Sequence, residues 1–301
     1  MDALQRCPAA IANVTIVTAT PCLAPDGHLS LPLSFGDPPA RQVPLFIKWE
    51  DYSEYLDKSL HDVTFVQIGA NCGKNTYGCA AGGDPLWSYV TSCGWRGVAL
   101  EPVSYVFALL CRNYARWSHR VTPLRGAVAD APGTARMTLG SGETNKLILK
   151  KAPSRPRPNE SVPVVTLDHV WAEFRRALGT TARAGPDLLI IDAEGAEPRI
   201  LGAPIIDESE GRGIYMDESA ALPRDLPSPL PSLILFEHSH LRPRDQRAIH
   251  ANLQRQGYAH LADLKNRDPR GVRLPPANRL YGLKKTSRRK PATHAPGGGK
   301  G

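Results

Sequence analysis

Five short stretches of this 301-residue chain combine residue types that do chemistry. The first is Gly69-Ala70-Asn71-Cys72-Gly73, directly after the apolar run Val63–Ile68. Small residues there let the backbone approach a ligand, and a structural tight turn would also account for them. The spacing is G-x-N-x-G, not the G-x-G-x-x-G of dinucleotide enzymes. The second stretch is Glu101 followed by Pro102, an acid that closes another apolar run. An acid so placed can accept both ribose hydroxyls of a nucleoside cofactor; the plainer alternative is a surface carboxylate after a strand. The third, Gly126-Ala127-Val128-Ala129-Asp130, could form a slot for an adenine ring, although Asp130 also suits a turn before Pro132-Gly133. The fourth, Asp192-Ala193-Glu194-Gly195-Ala196-Glu197, crowds three carboxylates into six residues. That is costly unless a sulfonium, a metal ion or an arginine sits among them. The helix dipole would explain Glu197 well and Asp192 poorly. The fifth, Glu237-His238-Ser239-His240, offers a histidine as general base, beside the alternative of a plain strand-end histidine.

Each stretch needs an element to carry it. Val63–Ile68, Gly97–Glu101, Val121–Val128, Asp187–Asp192, Ser232–Glu237 and Arg279–Lys284 are short apolar runs bounded by turn residues, as in strands buried on both faces. Helical patterns separate most of them: Asp84–Cys93, Val103–Trp117, Leu167–Leu178 with Thr166 before it and Gly179 after it, and Pro243–Gln256 stopped by Gly257. Leu45–Leu60 also reads as helical. Strands alternating with helices predict an α/β fold with a parallel, doubly wound sheet. Ala135–Leu139 and Val162–Thr166 are two extra strands between the third and fourth core strands. In such folds ligands bind at the carboxyl ends of the strands, where all five stretches fall.

The expected organisation is an irregular Pro-rich arm over residues 1–44, one domain over 45–285 with an insertion near 203–231, and a basic Gly/Pro-rich tail over 286–301. The formal net charge is +8, and Lys284–Gly301 holds six basic residues and no acid. The body is therefore near neutral, so the charge reads as a solvated tail more than as a nucleic-acid or membrane-surface footprint. No apolar run is long enough to span a membrane. The N-terminus makes a poor signal peptide, which leaves a cytoplasmic location by default. Six cysteines are too few for a disulfide framework, and no C-x2-C pair marks a zinc site. Cys72, Cys79 and Cys93 are expected as free thiols, pairing in an oxidising compartment being the alternative.

Taken together, FVQIGANCGKN, WRGVALEPVSYVFALLCRNY, RGAVADAPG, VPVVTLDHV, PDLLIIDAEGAEPRILGA and LILFEHS, in that order, resemble the FkbM-like methyltransferases, over roughly Thr64–His238. The resemblance implies a Rossmann-like, class I methyltransferase sheet with its last strand antiparallel. It implies S-adenosylmethionine as cofactor and transfer of a methyl group to a hydroxyl of a sugar, glycan or natural product. Gly69, Ala70, Asn71 and Gly73 then match the cofactor turn, Glu101 and Pro102 the ribose acid and its neighbour, and Ala127 the adenine edge. Asp192 and Glu194 match the acids beside the reacting centre. Gln67 stands where many methyltransferases carry an acid, and Cys72 where relatives often carry Asp.

An alcohol acceptor must lose a proton, and His238 or Asp192 are the candidate bases, with Glu237 beside them. A divalent ion shared by Asp192 with Glu237 or His238 is a less favoured arrangement. Two rival readings fit the same residues: a non-catalytic binding module on the same scaffold, and a nucleic-acid methyltransferase. The latter usually carries an Asn/Asp-Pro-Pro-aromatic loop where this chain has DAEGAE. Oligomeric state is not legible.

Overall fold

The computed structural model describes residues 4–7, 52, 54–56, 62–73, 86–87, 89–138, 146–148, 159–180, 185–203, 223–267 and 273–284. Its centre is an eight-stranded sheet. In chain order the elements are β1 (Gln5–Arg6), β2 (Thr64–Ile68), β3 (Arg96–Glu101), α1 (Ser104–Tyr114), β4 (Val121–Arg125), β5 (Ala127–Val128), β6 (Gly133–Thr138), β7 (Lys146–Ile148) and β8 (Asn159–Val165). They continue with α2 (Leu167–Leu178), β9 (Leu188–Ile191), α3 (Glu197–Ile200), β10 (Leu233–Glu237), α4 (Pro243–Arg255), β11 (Tyr258–Arg267) and β12 (Arg273–Leu283).

The main sheet runs β1-β4-β3-β2-β9-β10-β12-β11, and a smaller one runs β5-β8-β6-β7. From β4 to β10 the neighbours are parallel. The final strand, β12, lies antiparallel between β10 and β11. Every residue of β2 and β9 is buried, because helices cover both faces. Val66, Val98, Leu189 and Phe236 face α2 and α4 through Trp171, Phe174, Ile249 and Leu253. Their alternate neighbours Phe65, Ala99, Leu188, Ile190 and Leu235 face Phe107, Leu110 and Tyr114 of α1. The period-2 alternation of a strand thus splits one apolar run into two cores.

Several expectations change. The run Val121–Val128 is two strands: β4 stays in the main sheet, the chain breaks at Gly126, and β5 joins the small sheet beside β8. Pro123 is tolerated because on its far side β4 pairs only at Leu124 and Arg125. β11 was missed because its alternating polar residues make no apolar run, as suits an edge strand. β12 starts earlier than Arg279, and β7 is additional. Before β3 the chain makes one wide π turn over Tyr89–Cys93, while the expected start at Asp84-Pro85 lies outside the described residues. The Leu45–Leu60 helix, most of the 203–231 insertion, the loop around Cys79 and the basic tail also lie largely outside them. Among the described residues, no helix is long and apolar enough to cross a membrane.

The expectation of free thiols is overturned. Cys7 and Cys111 form a disulfide across 104 residues, and Cys72 and Cys93 are disulfide-bonded too. The N-terminal arm is therefore not wholly irregular: β1 pairs with β4, Cys7 is bonded to α1, and Arg6 pairs with Glu173 on α2 at 2.8 Å. Opening a loop of that length frees much unfolded-chain entropy. A C7S/C111S protein is expected to lose about 2–4 kcal/mol of stability, read from the shift of its urea midpoint.

Candidate active site

The β2 strand ends at Ile68, and the chain turns sharply through Gly69, Asn71 and Gly73, all at positive φ. A Cβ on Gly69 would lie 1.7 Å from the Asp192 carbonyl oxygen, so the ends of β2 and β9 can close together only around glycine. At Gly73 a Cβ would meet the Tyr114 ring of α1 at 2.6 Å. The turn is hydrogen-bonded to the strand end beside it: Gly69 and Ala70 N–H both donate to the Leu100 carbonyl, at 3.0 and 2.8 Å. Asn71 Oδ1 accepts from Cys72 N–H at 2.8 Å, and the Cys72 carbonyl accepts from Asn113 Nδ2 at 2.7 Å.

Glu101 closes β3 and is only 7% exposed. Its Oε2 accepts from Asn71 N–H and its Oε1 from Val103 N–H, each at 3.0 Å. The carboxyl thus ties the glycine turn to the start of α1. Burial raises its pKa to about 7, the two N–H bonds only partly opposing this, and Glu160 adds repulsion. Pro102 beside it is buried. Ala127 on β5 packs in one apolar cluster with Cys72 and Val103, which brings the third stretch against the turn. Gln67 is buried inside β2, in register with Ala99 and Ile190, and thus sits within the ladder two positions before the turn. Asp130 pairs with Arg199 at 3.3 Å.

On the other side of the turn, oxygens of Asp192, Glu194 and Glu237 lie within 4.8 Å of one another, close enough to face one cation. Asp192 is exposed to solvent although protein atoms crowd around its carboxyl. Its pKa is well raised, first by desolvation, then by Glu237, which is both a like charge and a hydrogen-bond partner, with Glu194 and Glu197 adding to the effect. The crowding inferred from DAEGAE is real, and the tighter hold of Asp192 on its proton is one part of its relief.

The other part is His240, which sequence reasoning passed over in favour of its neighbour. Its Nε2 lies 3.2 Å from Glu197 Oε2, and its Nδ1 3.7 Å from Glu237 Oε2. Burial lowers its pKa, but Glu197, Glu237 and Glu194 outweigh that and leave it raised. Glu197 is fully buried, and it reaches back to accept from Ala193 N–H at 2.8 Å and Gly195 N–H at 2.9 Å. The available signal was an acid opening a helix directly after a glycine turn, a place where carboxylates satisfy orphan N–H groups. His238 lies elsewhere. It is 6% exposed, its ring is 6.5 Å from Phe236 in the core under α4, and both ring nitrogens are buried without a hydrogen-bond partner among the described residues. Burial, then Arg279, lowers its pKa. Glu237 stands with the crevice acids, and His238 does not join them.

A known family, described as Methyltransferase FkbM domain, matches residues 67–259. Neither the curated proteins nor the solved structures yield a match to the chain.

Because Glu101 is raised from 4.5 to about 7, the folded protein binds its proton more tightly than the unfolded chain does. That contribution to stability is present below pH 4.5 and is lost as pH climbs through 7. Glutamine mimics the protonated acid. The stability difference between E101Q and wild type, from urea melts, is expected to move about 3 kcal/mol in favour of E101Q from about pH 4 to pH 9.

Proposed function

The chain belongs to the FkbM methyltransferase family, and from that premise we propose that it transfers a methyl group from S-adenosylmethionine to a hydroxyl of a sugar, glycan or small natural product. The observation that carries this reading is the glycine turn clamped between Glu101 and the Asp192 backbone, at the carboxyl edge where the parallel strand order reverses. In this reading the sheet is the Rossmann-like one of the class I methyltransferases. The domain runs over residues 45–285.

The side chains present suit such a donor. The free lone pairs of Glu101 would take the ribose hydroxyls, beside the small residues Gly69, Ala70 and Gly73. Ala127 would border the adenine. The acidic trio Asp192, Glu194 and Glu237 would sit near the sulfonium, which supplies a methyl carbon already activated for displacement. The protein's own work is then alignment of the acceptor, exclusion of water and removal of one proton. Asp192 is the best-placed proton acceptor, because it is open to solvent at the strand end and its raised pKa makes it a stronger base than an ordinary aspartate. An acceptor with an acidic hydroxyl or a nitrogen would need no such base. The disulfides at Cys7–Cys111, Cys72 and Cys93 support an oxidising compartment in place of the reducing cytoplasm, and with it a glycan acceptor.

Calorimetry with S-adenosylmethionine tests the cofactor. Wild-type protein is expected to bind it, and E101A, checked for folding by its melt, to bind about tenfold or more weakly, a loss of about 1.4 kcal/mol. No heat with the wild-type protein, or equal affinity in a folded E101A, would sink the reading.

A further inference from the structure

A fully buried carboxylate is expensive, and Glu197 is buried without an arginine or lysine bound to it among the described residues. Two backbone N–H groups and one imidazole hold it. An ionised carboxylate only accepts, so His240 Nε2 carries the hydrogen and Nδ1 is left facing Glu237. Glu237 accepts from Ser239 Oγ at 2.7 Å, and its carboxylate and that of Asp192 have oxygens within 4.8 Å of each other. Four side chains at the ends of two adjacent strands therefore lie in one row, Asp192, Glu237, His240 and Glu197, with 3.7 Å between Glu237 Oε2 and His240 Nδ1. The row starts at the accessible group and ends at the most buried one. The His240 side chain is 21% exposed, so its ring packs against the acids and still reaches solvent.

We propose that Asp192, Glu237 and His240 form a proton relay that drains the acceptor hydroxyl, with Glu197 as the positioning residue that orients His240. The proposal rests on the methyl-transfer reading above. In the reaction the acceptor oxygen bonds to the methyl carbon, and the carbon–sulfur bond breaks with its electron pair remaining on sulfur. The hydroxyl proton goes to Asp192, passes to Glu237 and from there to His240 Nδ1, and the imidazolium is held against Glu197. The proton then leaves Nδ1 to solvent, which returns the neutral ring. The groups facing His240 are Glu197 from α3, Glu194 from the loop before α3, and Glu237 from β10, all anionic when ionised. They favour the protonated ring, so at low pH the relay is already full and cannot take a further proton.

The test is transfer of tritiated methyl from S-adenosylmethionine to the methyl glycosides of common hexoses, followed across about pH 5 to 9, with donor binding measured in parallel. The wild-type rate is expected to rise with pH along a limb lying above about 6.5, the ordinary histidine value. H240Q is expected to bind the donor as wild type does, to lose about 100-fold in kcat and to lack that limb. H240N takes its place if H240Q fails to fold. E197Q, having lost the carboxylate that favours the imidazolium, should show the limb at lower pH, and E197D should restore it. Full kcat in a folded H240Q, or an E197Q limb at the wild-type position, would overturn the relay. A wild-type protein that binds no donor or methylates no glycoside overturns the methyl-transfer reading instead.

Discussion

The carboxyl edge of the main sheet depends on how closely the ends of β2 and β9 run together. Gly69 leaves no room for a side chain against the Asp192 carbonyl, and Asp192 N–H donates back to the Ile68 carbonyl at 2.9 Å. Any side chain at residue 69 would push the two strand ends apart. With them together, the turn after β2 lies between the acid that ends β3 and the acid that follows β9. Parallel strands bring their carboxyl ends to one edge, so residues far apart in the chain meet there without any long loop having to fold over.

The carboxylates at that edge are handled in two different ways. Glu101 and Glu197 are buried and satisfied by backbone N–H groups, so each acts as a staple between loops as well as a charge. Asp192 and Glu237 have no such backbone staple: Glu237 accepts from Ser239 Oγ at 2.7 Å, and the repulsion between the two acids is met by the raised proton affinity of Asp192 and by the nearby His240 ring. Backbone dipoles stabilise a buried anion only where they point straight at it, which is why the staples sit in tight turns. Asp192 thus keeps its proton affinity high, which is the property a proton acceptor needs.

Covalent links reinforce the same region from outside. Cys111 and Asn113 both lie on α1; the first is bonded to Cys7 in the N-terminal arm, and the second holds the carbonyl of Cys72 in the glycine turn. The face of α1 that packs on the sheet carries Phe107, Leu110 and Tyr114, and Gly73 lies against the last of these. The helix therefore joins the arm, the sheet and the turn. A chain whose turn is bonded through Cys72 gains rigidity there that hydrogen bonds alone would not supply.

The five parallel strands, the long helices α1, α2 and α4, and the turn-and-acid pairs at Gly69–Gly73 with Glu101 and at Asp192 with Glu237 were legible from residue order. The reason is local: buried parallel strands must be continuous apolar runs, and the helix ends at Gly179 and Gly257 need left-handed residues. What lay beyond the sequence was which of two adjacent histidines faces the acids. His238 and His240 are chemically identical, and only the direction of the chain after β10 sends one ring under α4 and the other against Glu197. The same holds for the cysteines and for the break at Gly126. Pairing and sheet choice depend on distances between segments that are remote along the chain, and no local pattern of side chains encodes a distance.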